Sequence, residues 1–401
     1  MPVLFDKTEL AELHLHAVRA TARTIWLVCE ARSKDGVSGF GEATLNGSEI
    51  EVAQNFTAFA ADIFGREAAG AANSKALTLA RSAALSGIDQ ALTDLVARQG
   101  NLSLAEALGL SSTGTGVQLY ANINRGLVDR GQEGFAASAG DAVRSGFQAL
   151  KIAPFEAIPP QSVELRHHDL IGSGDQEAAA RIRAVRAAIA PDIALYVDCH
   201  WLLDQQRAED LLPLALEAGV SQIECPIPDG TETLDDQVAL KNIYNAHGVK
   251  VAGGELVIDG AEVKALLAGG ALDVIMPDVK YVPSLAQYID IARMIHRHGT
   301  EVSPHNPSGP VAHAVSWQIA NALTEIDWLE FQYAETPLFS HLVGRPDDVS
   351  ERAWNADMPA GPGIGLIIDR DVLTRHSIGH LVVGADGIAA TGDLAAARGS
   401  D

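Results

Sequence analysis

Short apolar runs, each ending in an acidic residue or a histidine, recur along the chain from Ala194 to Glu330. They are Ala194–Asp198, Ser221–Glu224, Val251–Glu255, Leu272–Asp278, Glu301–His305 and Asp327–Glu330, and their last residues follow one another at intervals of 23 to 31 residues. A strand, a helix and two short loops need roughly 25 residues. Helix-like segments such as Gln205–Ala218 and Ser284–His298 fill the gaps. Alternation at this period predicts parallel strands, and six or more such units predict a (β/α) barrel. Polar groups at the C-terminal ends of barrel strands converge on one mouth. Asp198, Glu224, Glu255, Asp278, His305 and Glu330 are therefore expected around a single cavity.

Upstream, the pattern changes character. Leu10–Cys29 alternates loosely, Lys34-Asp35-Gly36 reads as a turn, and Val37–Thr44 follows as the second arm of a hairpin. Helical spacing then covers about Glu49–Phe64, Ser74–Arg98 and Leu104–Leu108. The middle segment is apolar over a wide face, which predicts burial. A small sheet followed by helices predicts a separate α+β domain over residues 1–116. The barrel begins with strands Val117–Asn124 and Phe147–Ile152, separated by a helix over Glu133–Ser145. From Lys151 to Asp198 the interval is 47 residues, close to two units. The excess lies in Pro154–Gly174, with Arg166-His167-His168-Asp169, and predicts a long loop at the mouth ahead of a helix over Gln176–Ile189. The barrel domain is expected over residues 117–354. Beyond it stand the loop Ala360–Gly365 and a small, polar tail expected to fray.

Composition narrows the choice of partner. The net charge is −23, from 29 basic and 52 acidic residues, which argues against nucleic acid and anionic membranes. No run approaches the roughly 18 apolar residues of a membrane helix, and no signal peptide is read at the start. Cys29, Cys199 and Cys225 are odd in number and sit in apolar runs, so they are read as packing residues of a cytoplasmic protein.

The strand ends carry the chemistry. Asp198, Glu224 and Glu255 close three successive strands, and three converging carboxylates repel unless a cation neutralises them. An all-oxygen donor set favours Mg²⁺ or Mn²⁺ over Zn²⁺. Asp278 and His305 close the next two strands. A carboxylate beside an imidazole fixes its tautomer and raises its basicity, giving a general base. His200 follows Asp198 by two and is expected on the same face. Lys151 ends the second strand as a base or as a cation for a developing oxyanion. Glu330 is read either as a contact to a substrate carboxylate or as a strand-end ion-pair member.

Taken together, these residues resemble the enolase superfamily, in its mandelate racemase/muconate lactonizing enzyme group. The resemblance rests on Ile88–Leu95, the three carboxylates, the Asp278/His305 pair, Trp328-Leu329-Glu330 and Gly361-Pro-Gly-Ile-Gly365. It implies a modified (β/α)7β barrel under an α+β capping domain completed by residues 355–401, a homo-oligomer, and one Mg²⁺ per active site. It also implies Mg²⁺-assisted removal of the proton α to a carboxylate, giving an enediolate. Many members carry Lys-x-Lys at the end of the second strand; here the stretch is Lys151-Ile152-Ala153. Asp198-Cys199-His200 instead resembles the acid-sugar dehydratases of the group, whose specificity loop falls here at about Ser38–Asn46. The expectation is a dehydratase of a sugar acid that forms a 2-keto-3-deoxy acid. Asp198, Glu224 and Glu255 would be its metal ligands, His305 with Asp278 its base, and His200, Lys151 and Glu330 its assisting groups. A racemase or epimerase pairing His305 with Lys151, and a non-catalytic descendant, are the alternatives.

Overall fold

The computed structural model describes residues 9–66, 76–111, 116–157, 171–172, 174–230, 232–344 and 361–392 of the 401. Its first strands are β1 (Leu10–Arg19), β2 (Ile25–Ser33) and β3 (Ser38–Glu42), antiparallel throughout. Leu13, Leu15 and Ala17 face helices Glu49–Ile63 and Leu79–Gln99 and form one core with them. The second helix starts at Leu79, because Thr78 turns out of the helix and accepts the N–H of Arg81. The expected start at Ser74 lies outside the described residues.

Gly39 and Gly41 let β3 lie directly on this helix, since a Cβ at Gly39 would stand 2.1 Å from the Leu95 nitrogen. The small sheet is finished from the far end of the chain. Strands β14 (Ser377–Gly384) and β15 (Gly387–Gly392) extend it to the order β15-β14-β1-β2-β3.

The second sheet consists of β4 (Gln118–Asn122), β5 (Ala149–Ile152), β8 (Ala194–Asp198), β9 (Val220–Glu224), β10 (Lys250–Gly253), β11 (Val274–Ile275), β12 (Glu301–Val302) and β13 (Trp328–Gln332). All seven of its ladders are parallel. A parallel bridge from Val302 to Ile326 brings its two edges together. Every connection carries helix, as parallel neighbours require. The result is the expected barrel with a separate antiparallel sheet domain. A minimal hairpin, β6 (Glu156–Ala157) with β7 (Ile171–Gly172), sits in the long loop after β5. Arg166-His167-His168-Asp169 of that loop lies outside the described residues.

One element differs from expectation. Gln205–Ala218 is two helices, Gln205–Asp210 and Leu212–Glu217, broken at Leu211. Pro213 lies in the first turn of the second and has no N–H to return to the preceding turn.

The two domains share their cores and cap one another's helices. Val18, Trp26, Val28 and Phe40 pack into the barrel cluster, and Tyr281 of the barrel packs into the capping cluster. Helix Pro310–Ala322 has no side-chain cap of its own. The buried Glu42 of β3 supplies one, accepting the N–H groups of Gly309 at 2.8 Å and Ala312 at 2.9 Å. Helix Leu285–Arg297 is capped by its own Ser284, and Asp89 adds an acceptor from the capping domain, taking the N–H of Leu285 at 2.8 Å. Both contacts fix the capping domain over the C-terminal ends of the barrel strands.

Candidate active site

Parallel register brings the three carboxylates together. Asp198 and Glu224 are the last residues of β8 and β9 and stand opposite each other in the ladder. Glu255 follows β10 after Gly254, whose φ of 76° favours glycine. One oxygen from each carboxylate lies within 4.8 Å of the other two, and all three side chains are buried.

Lys151 of β5 enters the group from the opposite side. Its Nζ is 2.6 Å from Glu224 Oε1, 2.9 Å from Glu330 Oε1 and 3.7 Å from Asp198 Oδ2. Burial works to lower the Lys151 pKa, but Glu224 and Glu330 outweigh it and hold the amine well above its ordinary value.

Glu224 Oε2 and Glu255 Oε2 are buried without a hydrogen-bond partner among the described residues. An unsatisfied buried acceptor costs ~1–3 kcal/mol, more when charged. A divalent cation with oxygen ligands would satisfy both, so these residues fit such an ion.

Glu330 is fully engaged. Oε1 accepts from Asn122 Nδ2 at 2.6 Å as well as pairing with Lys151, and Oε2 accepts the Asn306 N–H at 2.8 Å. It therefore ties β13 to β4, β5 and the loop that carries His305.

That loop places His305 beside Asp278 as the ladder of β11 and β12 predicts. His305 Nδ1–H donates to Asp278 Oδ2 at 2.8 Å, which leaves Nε2 facing the cluster, 3.6 Å from Glu255 Oε2. Sequence reasoning missed the third member of this pair. Lys280 Nζ lies 2.6 Å from Asp278 Oδ2 and donates to Ser308 Oγ at 2.6 Å, and its backbone N–H donates to Asp278 Oδ1 at 2.7 Å. Lys280 is only 1 % exposed. The signal was available, because Lys280 stands two residues past Asp278 as His200 stands two past Asp198. Lys280 is the leading attraction holding the buried Asp278 below the usual carboxylate range against the cost of burial.

His200 reaches the carboxylates by a different route from strand alternation. The chain leaves β8 at Asp198 and turns through left-handed backbone at His200 and Trp201, with φ of 45° and 56°. The His200 N–H then donates to Asp198 Oδ1 at 2.9 Å. Its ring bridges two acids, Nε2 lying 3.0 Å from Asp198 Oδ2 and Nδ1 2.6 Å from Glu156 Oε1. Burial works to lower its pKa, but Asp198 and Glu156 outweigh it and raise it well above the ordinary value. Glu156, which also pairs with Arg130 at 3.1 Å, gave no sequence signal, because it sits in the long loop and not at a strand end. Arg125 lies against Asn46 of the capping loop, and with the Asn46 amide turned so that its oxygen faces the guanidinium, Nη1 donates to it at 2.9 Å.

This geometry can be compared with known families. The family described as Mandelate racemase / muconate lactonizing enzyme, N-terminal domain, matches residues 3–109, and the Enolase C-terminal domain-like family matches residues 134–372. The chain belongs to the enolase superfamily, in its mandelate racemase/muconate lactonizing enzyme group.

Among relatives of this superfamily member, a D-gluconate dehydratase of Thermoproteus tenax is 28 % identical over 294 residues, 73 % of this chain. The match spans little more than half of that relative, 56 % of its length. A D-galactarolactone cycloisomerase of Agrobacterium fabrum is 28 % identical over 302 residues, 73 % of each chain. A D-galactonate dehydratase of Xanthomonas axonopodis pv. citri is 24 % identical over 371 residues, 87 % of this chain and 90 % of the relative. The solved mandelate racemase/muconate lactonizing enzyme from Jannaschia sp. CCS1 superposes with a TM-score of 0.73 at 19 % identity, covering 92 % of this chain and 97 % of the other. At that identity the superposition speaks for the superfamily fold.

Proposed function

We propose that the protein is a Mg²⁺-dependent dehydratase of a sugar acid, converting a hydroxy-carboxylate to a 2-keto-3-deoxy acid. One observation carries the reading. Two histidines flank the same buried carboxylates from two sides. His305 turns Nε2 toward Glu255, with its other nitrogen committed to Asp278, while His200 sits between the carboxylates of Asp198 and Glu156, which favour its protonated form. A base on one side and an acid on the other is what removal of an α-proton and departure of a β-hydroxyl demand. The dehydratase relatives of Thermoproteus tenax and Xanthomonas support the substrate class.

Asp198, Glu224 and Glu255 would hold Mg²⁺, which when bound supplies Lewis-acid stabilisation to the substrate carboxylate. His305 Nε2 takes the α-proton. Asp278 fixes the ring tautomer and stabilises the imidazolium that forms. Lys151 is held protonated by Glu224 and Glu330, so it serves as a fixed positive charge for the developing enolate oxygen and not as a second base. Glu330 acts through Lys151. His200 donates its proton to the leaving hydroxyl, and Glu156 steadies the ring from behind. This arrangement speaks against racemisation, which needs a neutral base on the far face.

The test is a proton NMR screen in D₂O of the Mg²⁺-loaded protein against aldonic, aldaric and uronic acids. A keto-deoxy product is expected. Solvent exchange of the α-proton with no loss of water would replace the dehydratase reading by an epimerase, and metal binding without turnover on any acid would overturn both.

A further inference from the structure

The capping sheet carries a second group of metal-capable side chains. His14 and His16 alternate onto one face of β1, and His380 stands on β14 directly opposite His16 in the ladder. One nitrogen from each imidazole lies within 4.8 Å of the other two. His14 and His16 are buried, at 4 % and 8 % exposure. His14 Nδ1 and His380 Nε2 meet edge to edge at 3.0 Å with their rings within 13° of one plane. The His16 ring lies parallel to His380 with centroids 4.2 Å apart.

The surroundings are built as well. His14 Nε2 is anchored 3.0 Å from Glu12 Oε2, and His16 Nε2 is 3.3 Å from Glu30 Oε2. Glu30 is fully buried, and its other oxygen is held by Arg32 at 3.2 Å, Arg370 at 2.7 Å and Ser38 at 2.7 Å. Two Arg and two Glu leave the pocket without net charge before the imidazoles are counted. Burial lowers the pKa of His14, and burial with the neighbouring imidazoles lowers that of His380 to about 4.

We propose that His14, His16 and His380 form a site for a borderline divalent ion of the Zn²⁺ class, with Glu30 as the adjoining carboxylate. Metal–imidazole bonds of about 2.0–2.1 Å in tetrahedral array put ligand nitrogens roughly 3.4 Å apart. The His14–His380 separation is already close to that, and one proton now holds the two nitrogens together. Exchanging that proton for the cation opens the gap by a few tenths of an ångström, and the His16 ring completes the triad by turning about its Cβ–Cγ bond. The ion would staple β14 to β1, cross-linking the two distant chain segments that make the capping sheet. The imidazole set also separates it chemically from the all-oxygen cluster in the barrel, so two different ions can be held at once.

The experiment uses the full chain, stripped with chelator and then saturated with Mg²⁺ so that the barrel carboxylates are filled. Addition of CoCl₂ is expected to give the visible bands of a tetrahedral, nitrogen-ligated ion, and one equivalent of ZnCl₂ should bleach them. Zn²⁺ at about a hundredfold over its Kd should raise the melting temperature by about 3 °C. His380→Gln should weaken Zn²⁺ at least tenfold, with its metal-free far-UV spectrum serving as the folding control. If that variant does not fold, the Co²⁺ spectrum of the unaltered protein decides alone. A purely octahedral Co²⁺ spectrum, or equal Zn²⁺ affinity in the unaltered protein and a folded His380→Gln, would overturn the site.

Discussion

Replacing Lys280 by methionine removes a buried ammonium while keeping most of its stem. In the native protein Asp278 is fully buried, and its Oδ2 lies 2.8 Å from His305 Nδ1 and 2.6 Å from Lys280 Nζ. Loss of one partner from a buried pair costs ~3–5 kcal/mol, because the remaining charge is left uncompensated. Ser308 Oγ, 1 % exposed, loses the donor it now meets at 2.6 Å. We expect Lys280→Met to destabilise the protein by about 3–5 kcal/mol in urea unfolding monitored by circular dichroism. The cost should belong to the stranded carboxylate and not to the lost stem. Asp278→Asn combined with Lys280→Met should therefore recover about 2 kcal/mol relative to the sum of the single variants, a coupling typical of residues in one network. Asp278 with no ammonium beside it is drawn toward its protonated form, in which it no longer holds the His305 tautomer. A loss below about 1 kcal/mol, or additivity within roughly 0.5 kcal/mol, would refute the reasoning and leave Lys280 as packing.

Further outcomes follow from the same contacts. His305→Asn should slow α-proton exchange of a substrate acid by ~10²–10⁴-fold with Mg²⁺ affinity unchanged by calorimetry; retained exchange would remove His305 as the base. His200→Asn should lose water elimination by a similar ~10²–10⁴-fold while α-proton exchange continues in D₂O, and equal loss of both would make His200 a shared structural support. Asp89 is raised by burial from 3.8 to about 6 despite the Leu285 N–H. Its folded state therefore binds the proton more tightly than the unfolded chain does. The stability it lends is full below about pH 4 and is lost as pH rises through 6, a swing of up to ~3 kcal/mol. Asp89→Asn should thus melt above the unaltered protein at pH 7.5 and alongside it near pH 4.5; an equal offset at both would contradict the shift.

The fold could be read largely because hydrophobic period is a local property. Each barrel run ends on a residue whose polarity has a local purpose, so Asp198, Glu224, Asp278 and His305 could be placed around one mouth before any contact was known. Contacts that cross the two domains leave no such mark. Glu42 is an acid in a strand until its partners, Gly309 and Ala312, arrive 267 and 270 positions later. Glu156 and the left-handed turn at His200 were hidden for another reason, since loop backbone follows no period. Pro213 was legible and was overlooked, its effect being a broken ladder in an otherwise periodic segment.

The capping sheet has a timetable. His14 and His380, which meet at 3.0 Å, are 366 positions apart in the chain. At the ~5–20 residues per second of synthesis, β1 waits roughly 20–70 s for β14 to leave the ribosome. Throughout that interval β1 has an unpaired edge, and by its end every barrel strand has been made. The barrel thus has the chance to form first and offer its C-terminal rim as the template on which the incomplete cap rests. Nascent chains halted before residue 377 should accordingly show a protease-resistant barrel and an easily cleaved N-terminal segment.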